Sequence, residues 1–332
     1  MDERVTEFGL IKLLASLAGD SRTSSSRVRT GIGDDAAVGV PGGATATSVD
    51  SLVDGVHFRR AWCPPESIAD KAVAAALSDL AAMAAQPGEI YVALGLPPGL
   101  EAGYAEELAH GFTAAAGRFD TVLAGGDIVS SATLFVSVTV VGHAEREDGF
   151  LLRAGAGAGE LVAVTGALGG ASAALCLLED PTLILNDAGL RRALLERQLS
   201  PRPQIEAGRR LALAGATAMI DVSDGLAADL AHVAASSSVL IQIEADQVPV
   251  QPGVPEVAKI AGRQATGMVL GGGEDFELAV TLAPGDLASA VSALAEIGVS
   301  LTPIGRVCEG EGVIAFEGGA ELQLSPGYEH LA

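Results

Sequence analysis

The chain has 332 residues, with 42 acidic and 20 basic side chains, a formal net charge of −22, yet only 19% of residues are charged and 49% are hydrophobic. At roughly 150 residues per domain the length suggests two domains, and the apolar content is enough for buried cores rather than a disordered acidic chain. The charge excludes sequence-independent nucleic-acid binding, which needs a basic surface to neutralise phosphates, and it disfavours docking on anionic lipid.

Phe8, Ile11, Leu14 and Leu17 fall at helical spacing and predict a short amphipathic helix over 3–17. Residues 21–29 read as a polar loop. A strand over 45–49 leads to Asp50, which is placed at its end. Pro64-Pro65-Glu66 opens an alanine-rich helix over 67–85, stopped by Pro87-Gly88. A strand over 90–96, a helix over 104–117 and a strand over 121–124 follow, the last running into Gly125-Gly126-Asp127. Residues 134–141 are mostly β-branched and predict another strand. Residues 145–149 are turn-like, and the stretch from Arg153 to Gly159 is glycine-rich, so the chain divides into domains of 1–144 and 145–332. The second half opens with a strand over 161–165, then helices over 171–178, 188–198 and 204–214, the last after the break Pro201-Arg202-Pro203. A strand over 218–222 leads through Ser223-Asp224-Gly225 into a helix, and a further strand is expected over 276–281. Alternating strands and helices in both halves predict two α/β or α+β domains of similar size.

The signal in this sequence is where its aspartates fall. Asp34 and Asp35 follow a glycine turn; Asp50 and Asp127 close strands; Asp79 sits in the alanine-rich helix; Asp221 and Asp224 straddle a strand-to-helix turn; Glu274 and Asp275 follow Gly271-Gly272-Gly273. Element ends are where side chains converge on a site, and glycine lets backbone approach a ligand. Asp79 is flanked by Ala74–Leu77 and Leu80–Met83, so its carboxylate is costly unless paired or bound to a cation. Two carboxylates about 4 Å apart repel by roughly 4 kcal/mol at an effective dielectric of about 20, which favours collecting hard cations such as Mg²⁺ or Ca²⁺. Any single Asp-Gly pair is more often a turn or a helix cap; the set carries the argument.

No phosphate loop of the GxxxxGK[ST] type, HExxH or GxSxG is present. The five histidines do not cluster; His57, just past Asp50, is the best site candidate among them. Cys63, Cys176 and Cys308 are widely spaced, which argues against a disulfide framework or structural zinc and for a reduced, cytoplasmic setting. The start Met1-Asp2-Glu3-Arg4 has no signal-peptide pattern, and no run of about 18 apolar residues predicts a membrane span.

Taken in order, Gly31-Ile-Gly-Asp-Asp-Ala-Ala37, Asp50-Ser-Leu-Val-Asp-Gly-Val-His-Phe58, Ser78-Asp-Leu-Ala-Ala-Met83, Gly125-Gly-Asp127, Ile220-Asp-Val-Ser-Asp-Gly-Leu226 and Gly272-Gly-Glu-Asp-Phe-Glu-Leu278 resemble the thiamine-monophosphate kinases, from about residue 6 to 331. The resemblance implies a two-domain aminoimidazole-ribonucleotide-synthetase-like fold whose N-terminal sheets form a homodimer interface. It implies ATP as co-substrate, thiamine monophosphate as acceptor, thiamine diphosphate as product and several Mg²⁺ ions. By motif matching, the metal ligands would be Asp35, Asp50, Asp79, Asp127, Asp221 and Asp224, with Ser48. Gly126, Asp127, Arg153 and Ser223 match nucleotide-contacting positions; His57, Glu274 and Tyr328 match positions around thiamine monophosphate. The residue chemistry agrees. A phosphate acceptor is already ionised at neutral pH and needs no general base, Arg153 offers a planar fork of donors, and Tyr328 can stack on a cationic ring or simply pack. Val49, Ala76, Ala84 and Leu331 depart from the family pattern, and Ala109 stands where the family often has an aromatic near adenine. The alternatives are another ATP-using enzyme of the same superfamily and a salt-adapted scaffold whose acids only solvate its surface.

Overall fold

The computed structural model describes residues 6–20, 27–33, 36–144, 149–324 and 327. It divides into two compact units, Met1–Leu80 with Ala85–Gly149 and Ala81–Ala84 with Phe150–Ala332.

The first unit runs α1 (Glu7–Asp20), β1 (Val28–Thr30), β2 (Val38–Gly39), β3 (Thr45–Val53), α2 (Pro65–Ala82), β4 (Gln86–Leu96), α3 (Ala102–Arg118), β5 (Val122–Ser130) and β6 (Phe135–His143). β1 and β2 form a small antiparallel pair. The main sheet has the order β3-β6-β4-β5, antiparallel except for the parallel β4–β5 pair. Side chains alternate across its faces. Val136, Val138 and Val140 of β6 lie with Ile90, Val92 and Leu94 of β4 on a buried face. On the other face Ser137, Thr139 and Val141 are only half-buried, and Val49 of β3 is 61% exposed. From Ile68 to Leu80 every α2 side chain is buried except Asp79. A helix that is apolar nearly all round belongs inside, and alanine lets neighbours come close: a Cβ on Gly111 of α3 would lie 2.8 Å from the Ala69 Cβ and 2.9 Å from the Glu66 Cα.

Two strands extend further than propensity suggests. β3 pairs with β6 without interruption from Thr45↔His143 to Val53↔Phe135, and β5 pairs with β4 as far as Ser130↔Leu96. Asp50 and Asp127 therefore sit inside strands, not at strand ends. Aspartate and glycine are poor strand formers, but a continuous ladder on the neighbouring strand overrides them. α2 stops at Ala82, before the expected end, and Ala84 takes a left-handed conformation with φ 56°. A helix end of this kind normally uses glycine.

The second unit runs β7 (Leu161–Thr165), α4 (Gly170–Glu179), α5 (Ala188–Leu199), α6 (Ile205–Leu213), β8 (Ala216–Asp221), α7 (Leu226–Ser237), β9 (Leu240–Glu244), a 3₁₀ turn (Ala245–Gln247), α8 (Val254–Ile260), α9 (Ala265–Gly271), β10 (Leu278–Leu282), α10 (Leu287–Ala295), β11 (Leu301–Cys308), β12 (Gly312–Glu317) and β13 (Ala320–Glu321). Its seven-stranded sheet has the order β13-β12-β9-β11-β7-β10-β8, with β9–β12 the parallel pair. Val162, Val164, Ile220, Ile241 and Ile243 are all within 1% of full burial and anchor its core. The α/β (α+β) expectation for two domains matches this architecture. The strand expected over 276–281 starts later, at Leu278, because Glu274 (φ 64°) and Phe276 (φ 50°) leave the extended region. Among the described residues no helix is long and apolar enough to cross a membrane.

The α2–α3 contact gives a test. Gly111→Ala should cost on the order of 2 kcal/mol through overpacking, despite alanine's better helix propensity. Gly117→Ala in the same helix, with nothing within 4 Å of the new Cβ, should gain up to about 1 kcal/mol. Urea midpoints of the two variants against the wild type check both signs.

Candidate active site

In the first unit the acids occupy β3, α2 and β5. The Ser48 hydroxyl donates to the Asp79 carboxylate, joining β3 to the one incompletely buried position of α2 between Ile68 and Leu80. Asp50 lies two residues along the same strand and so on the same face as Ser48. Its Oδ1 accepts the Ser51 N–H at 2.6 Å. Beside Asp79, the Ser78 hydroxyl is fully buried without a hydrogen-bond partner. His57 follows the end of β3 in a tight turn: its Nδ1 accepts the Val53 N–H at 3.1 Å, which leaves Nε2 to carry the proton of the neutral ring. The buried Lys71 donates from Nζ to the His57 carbonyl oxygen at 3.3 Å.

The register separates Asp127 from this group. Asp50, Val138, Val92 and Gly126 form one row across the sheet, and Ser51, Ser137, Ala93 and Asp127 form the next. Adjacent rows point to opposite faces, and three strand spacings put β3 and β5 about 14 Å apart. Asp127 is exposed, with its own Oδ1 accepting the Ile128 N–H at 3.0 Å. Gly126 is required where it stands, since a Cβ there would lie 2.0 Å from the Val92 carbonyl oxygen.

In the second unit Asp221 closes β8 and is 3% exposed, while Ser223 and Asp224 in the turn after it are half-buried. The turn is shaped by an acid that the sequence reading did not single out. Oδ2 of Asp229, in the first turn of α7, accepts the N–H groups of Ser223, Asp224 and Gly225 at 3.0, 3.1 and 3.1 Å. Burial, and then the negative charge of Asp221, push the Asp229 carboxyl up to about 7, against the pull of these amides. A helix-facing acid four residues after a glycine was the available clue.

The loop from Gly272 to Glu277 packs directly on that turn. The Glu274 N–H donates to the Ser223 carbonyl at 2.8 Å and the Phe276 N–H to the Val222 carbonyl at 2.9 Å. Glu274 is half-buried, and the Gln198 amide donates to its Oε2 at 2.7 Å. Asp275 is buried and accepts the Gly169 and Ala171 N–H groups at the start of α4 at 2.6 and 3.2 Å. Burial pushes its carboxyl up to about 6.

Arg153 is exposed on the glycine-rich stretch along β8: the Met219 N–H donates to the Leu152 carbonyl at 3.0 Å, and Ser237 Oγ donates to the Arg153 carbonyl while accepting from Gly155 N. Gln198, Arg197, Asp229 and Ser237 are the site-shaping residues that sequence reasoning missed; Gln198, Arg197 and Ser237 act through contacts far away in the chain, Asp229 through the turn just before it. Asp35 and Tyr328 lie outside the described residues.

Within the first unit the structure thus brings Ser48, Asp50 and Asp79 together. Within the second it brings Asp221, Ser223, Asp224 and Glu274 together. Among the described residues no group of three or more His, Cys, Asp or Glu side chains is arranged to hold a metal ion. The donors are all hard oxygens in pairs. That composition fits Mg²⁺, which binds through one or two carboxylates when phosphates and water supply the remaining positions.

The chain matches the family models of the AIR synthase related protein, N-terminal domain over residues 33–144 and C-terminal domain over 157–317. The thiamine-monophosphate kinase of Mycobacterium tuberculosis is 35% identical over 318 residues, 95% of this chain and 89% of that protein. The chain belongs to the thiamine-monophosphate kinase family. The crystal structure of the family member from Stenotrophomonas maltophilia K279a is similar with a TM-score of 0.83 and 34% identity, covering 96% of this chain and 98% of that one. AaThiL complexed with AMPPCP and TMP is similar with a TM-score of 0.78 and 32% identity, covering 98% and 97%. The family models span Ser48 to Asp127 and Asp221 to Glu274, and leave Arg153 and Tyr328 outside.

The raised carboxyl of Asp275 sets a sign for pH dependence. Its folded value, about 6, lies above the ordinary 3.8, so the native state keeps a proton that the unfolded chain has lost. That contribution to stability is full below about pH 4 and is lost as pH rises towards about 6. Asp275→Asn removes the titration, so the variant should lose less stability than the wild type across this window. Urea midpoints at pH 4, 5 and 6 measure the difference.

Proposed function

We propose that this protein transfers the γ-phosphoryl group of ATP to thiamine monophosphate, giving thiamine diphosphate and ADP. The observation that carries the reading is near-full-length similarity, at 32% identity, to AaThiL complexed with AMPPCP and TMP, joined to the survival of the acidic residues in family order. The new P–O bond forms between a phosphate oxygen of thiamine monophosphate and the γ-phosphorus, as the bond to the β–γ bridging oxygen breaks. The attacking oxygen is ionised at neutral pH, so the protein must position and neutralise rather than abstract a proton. This accounts for a site built of acids, serines and backbone without a histidine–acid relay.

Asp35, Ser48, Asp50, Asp79, Asp127, Asp221 and Asp224 are the groups that would hold Mg²⁺. When bound, Mg²⁺ neutralises and orients the phosphates. Within one chain Asp50 and Asp127 lie on opposite faces about 14 Å apart across the strands, so one chain by itself would not bring both to the same ion. Gly126 and Asp127 meet the nucleotide through a strand edge that glycine keeps low. Arg153 and Ser223 are the residues assigned to its phosphates, and His57, Glu274 and Tyr328 those assigned to the acceptor. His57 presents an Nε2–H donor because Nδ1 is engaged with Val53.

The half-open face of the first unit's sheet, with Val49 and Val129 61% and 44% exposed, supports a homodimer through that face, as apolar sheet surface of this kind seeks a partner. The free cysteines, two of them buried, suit a reducing cytoplasmic compartment.

The test is a Mg²⁺-dependent assay for thiamine diphosphate with purified protein, with thiamine as a control acceptor. Asp50→Asn and Asp221→Asn should each lower kcat/KM by on the order of 100-fold or more while the protein still folds. If thiamine is phosphorylated and thiamine monophosphate is not, the acceptor assignment is wrong.

A further inference from the structure

The segment from Glu274 to Glu277 is held at every residue. Glu274 and Phe276 carry φ values of 64° and 50°, a region that side chains with a Cβ rarely enter unless the surroundings enforce it. Here they do. Backbone bonds tie Glu274 to Ser223 and both Phe276 and Glu277 to Val222. Asp275 meets the start of α4 through two amides. Arg197 donates to the Asp275 carbonyl at 3.0 Å and to Glu277 Oε1 at 2.9 Å, and Thr165 Oγ1 donates to Glu277 Oε2 at 2.7 Å. Gly273 allows the close approach: a Cβ there would lie 2.3 Å from the Ser223 carbonyl oxygen.

Asp275, Phe276 and Glu277 are all at least 95% buried, so their side chains are spent on the scaffold. Glu274 alone of the four is half-buried. The strained backbone therefore presents one carboxylate at a fixed place, and the next residue of α5 after Arg197 fixes its orientation. Gln198 is 4% exposed; its Nε2 donates to Glu274 Oε2 at 2.7 Å, while its Oε1 is buried without a hydrogen-bond partner. A buried amide with one unsatisfied atom costs stability.

We propose that Gln198 is a positioning residue for the phosphoryl acceptor, acting through Glu274. The proposal rests on the reading above in which Glu274 contacts thiamine monophosphate. Its function is to hold the Glu274 carboxylate in the rotamer that meets the acceptor, so that orientation is settled before binding.

The test uses Gln198→Met, close in volume and unable to donate, Gln198→Asn, whose amide is one methylene too short to reach, Glu274→Gln, and the double variant Gln198→Met/Glu274→Gln. Gln198→Met and Gln198→Asn should each raise KM for thiamine monophosphate about tenfold, with KM for ATP and the Mg²⁺ half-saturation within about twofold of wild type. In the Glu274→Gln background, Gln198→Met should add less than about twofold, the coupling expected of a residue acting through another. Should Gln198→Met fail to fold, Gln198→Asn and its own double variant carry the same comparison. Equal rises in both KM values, a loss confined to kcat, or fully additive effects with Glu274→Gln would overturn the proposal and leave the role of Glu274 standing. An unchanged KM for thiamine monophosphate in Glu274→Gln would overturn both.

Discussion

A carboxylate taken out of water must be met by donors, and much of this protein is organised around that demand. Asp229 gathers three consecutive amides on one oxygen, Asp275 takes two at the start of α4, and Glu277 draws on Arg197 and Thr165. In the first unit Asp70 meets Arg118, and Asp79 meets Ser48. Asp229 and Asp275 fix stretches of backbone because their donors come from that backbone, while Glu277, Asp70 and Asp79 are met by side chains of other elements. The acids left half-buried, Asp50, Asp79, Asp224 and Glu274, then project from supports that cannot relax around them. Such support is what a site needs if it is to neutralise phosphate charge without reorganising during the reaction.

Close approach of backbone to backbone explains the glycines that matter. At Gly273 and Gly126 a Cβ would run into the Ser223 and Val92 carbonyl oxygens. The Gly-Gly-Asp and Gly-Gly-Glu-Asp runs are thus packing solutions. Strain enters for the same reason: Glu274 and Phe276 hold left-handed φ values because bonds on both sides leave the backbone no other course.

Much of the site was legible because its chemistry is local. Asp79 stood out as a carboxylate inside an alanine-rich helix, and it is the one half-buried position from Ile68 to Leu80. The Asp221-to-Gly225 turn was read as a strand-to-helix junction and is one. The extents of β3 and β5 were not legible. Aspartate and glycine lower strand propensity, while the ladder that carries the strands past Asp50 and Asp127 belongs to β6 and β4. Likewise, nothing near Gln198 or Arg197 in sequence marks them: their partners lie 76 to 80 residues away.

The sequence by itself determined the chemical type of the protein. Its charge argued against nucleic-acid and anionic-lipid partners, and its ordered Asp and Gly motifs pointed to cations and phosphates, because residue type and spacing along one element are local properties. Only the tertiary structure decided which acids act together. It put Ser48 against Asp79, set Asp127 on the opposite face about three strand spacings from Asp50, and placed Gln198 under Glu274. Register and packing between distant segments set those relations, and no stretch of chain carries them alone.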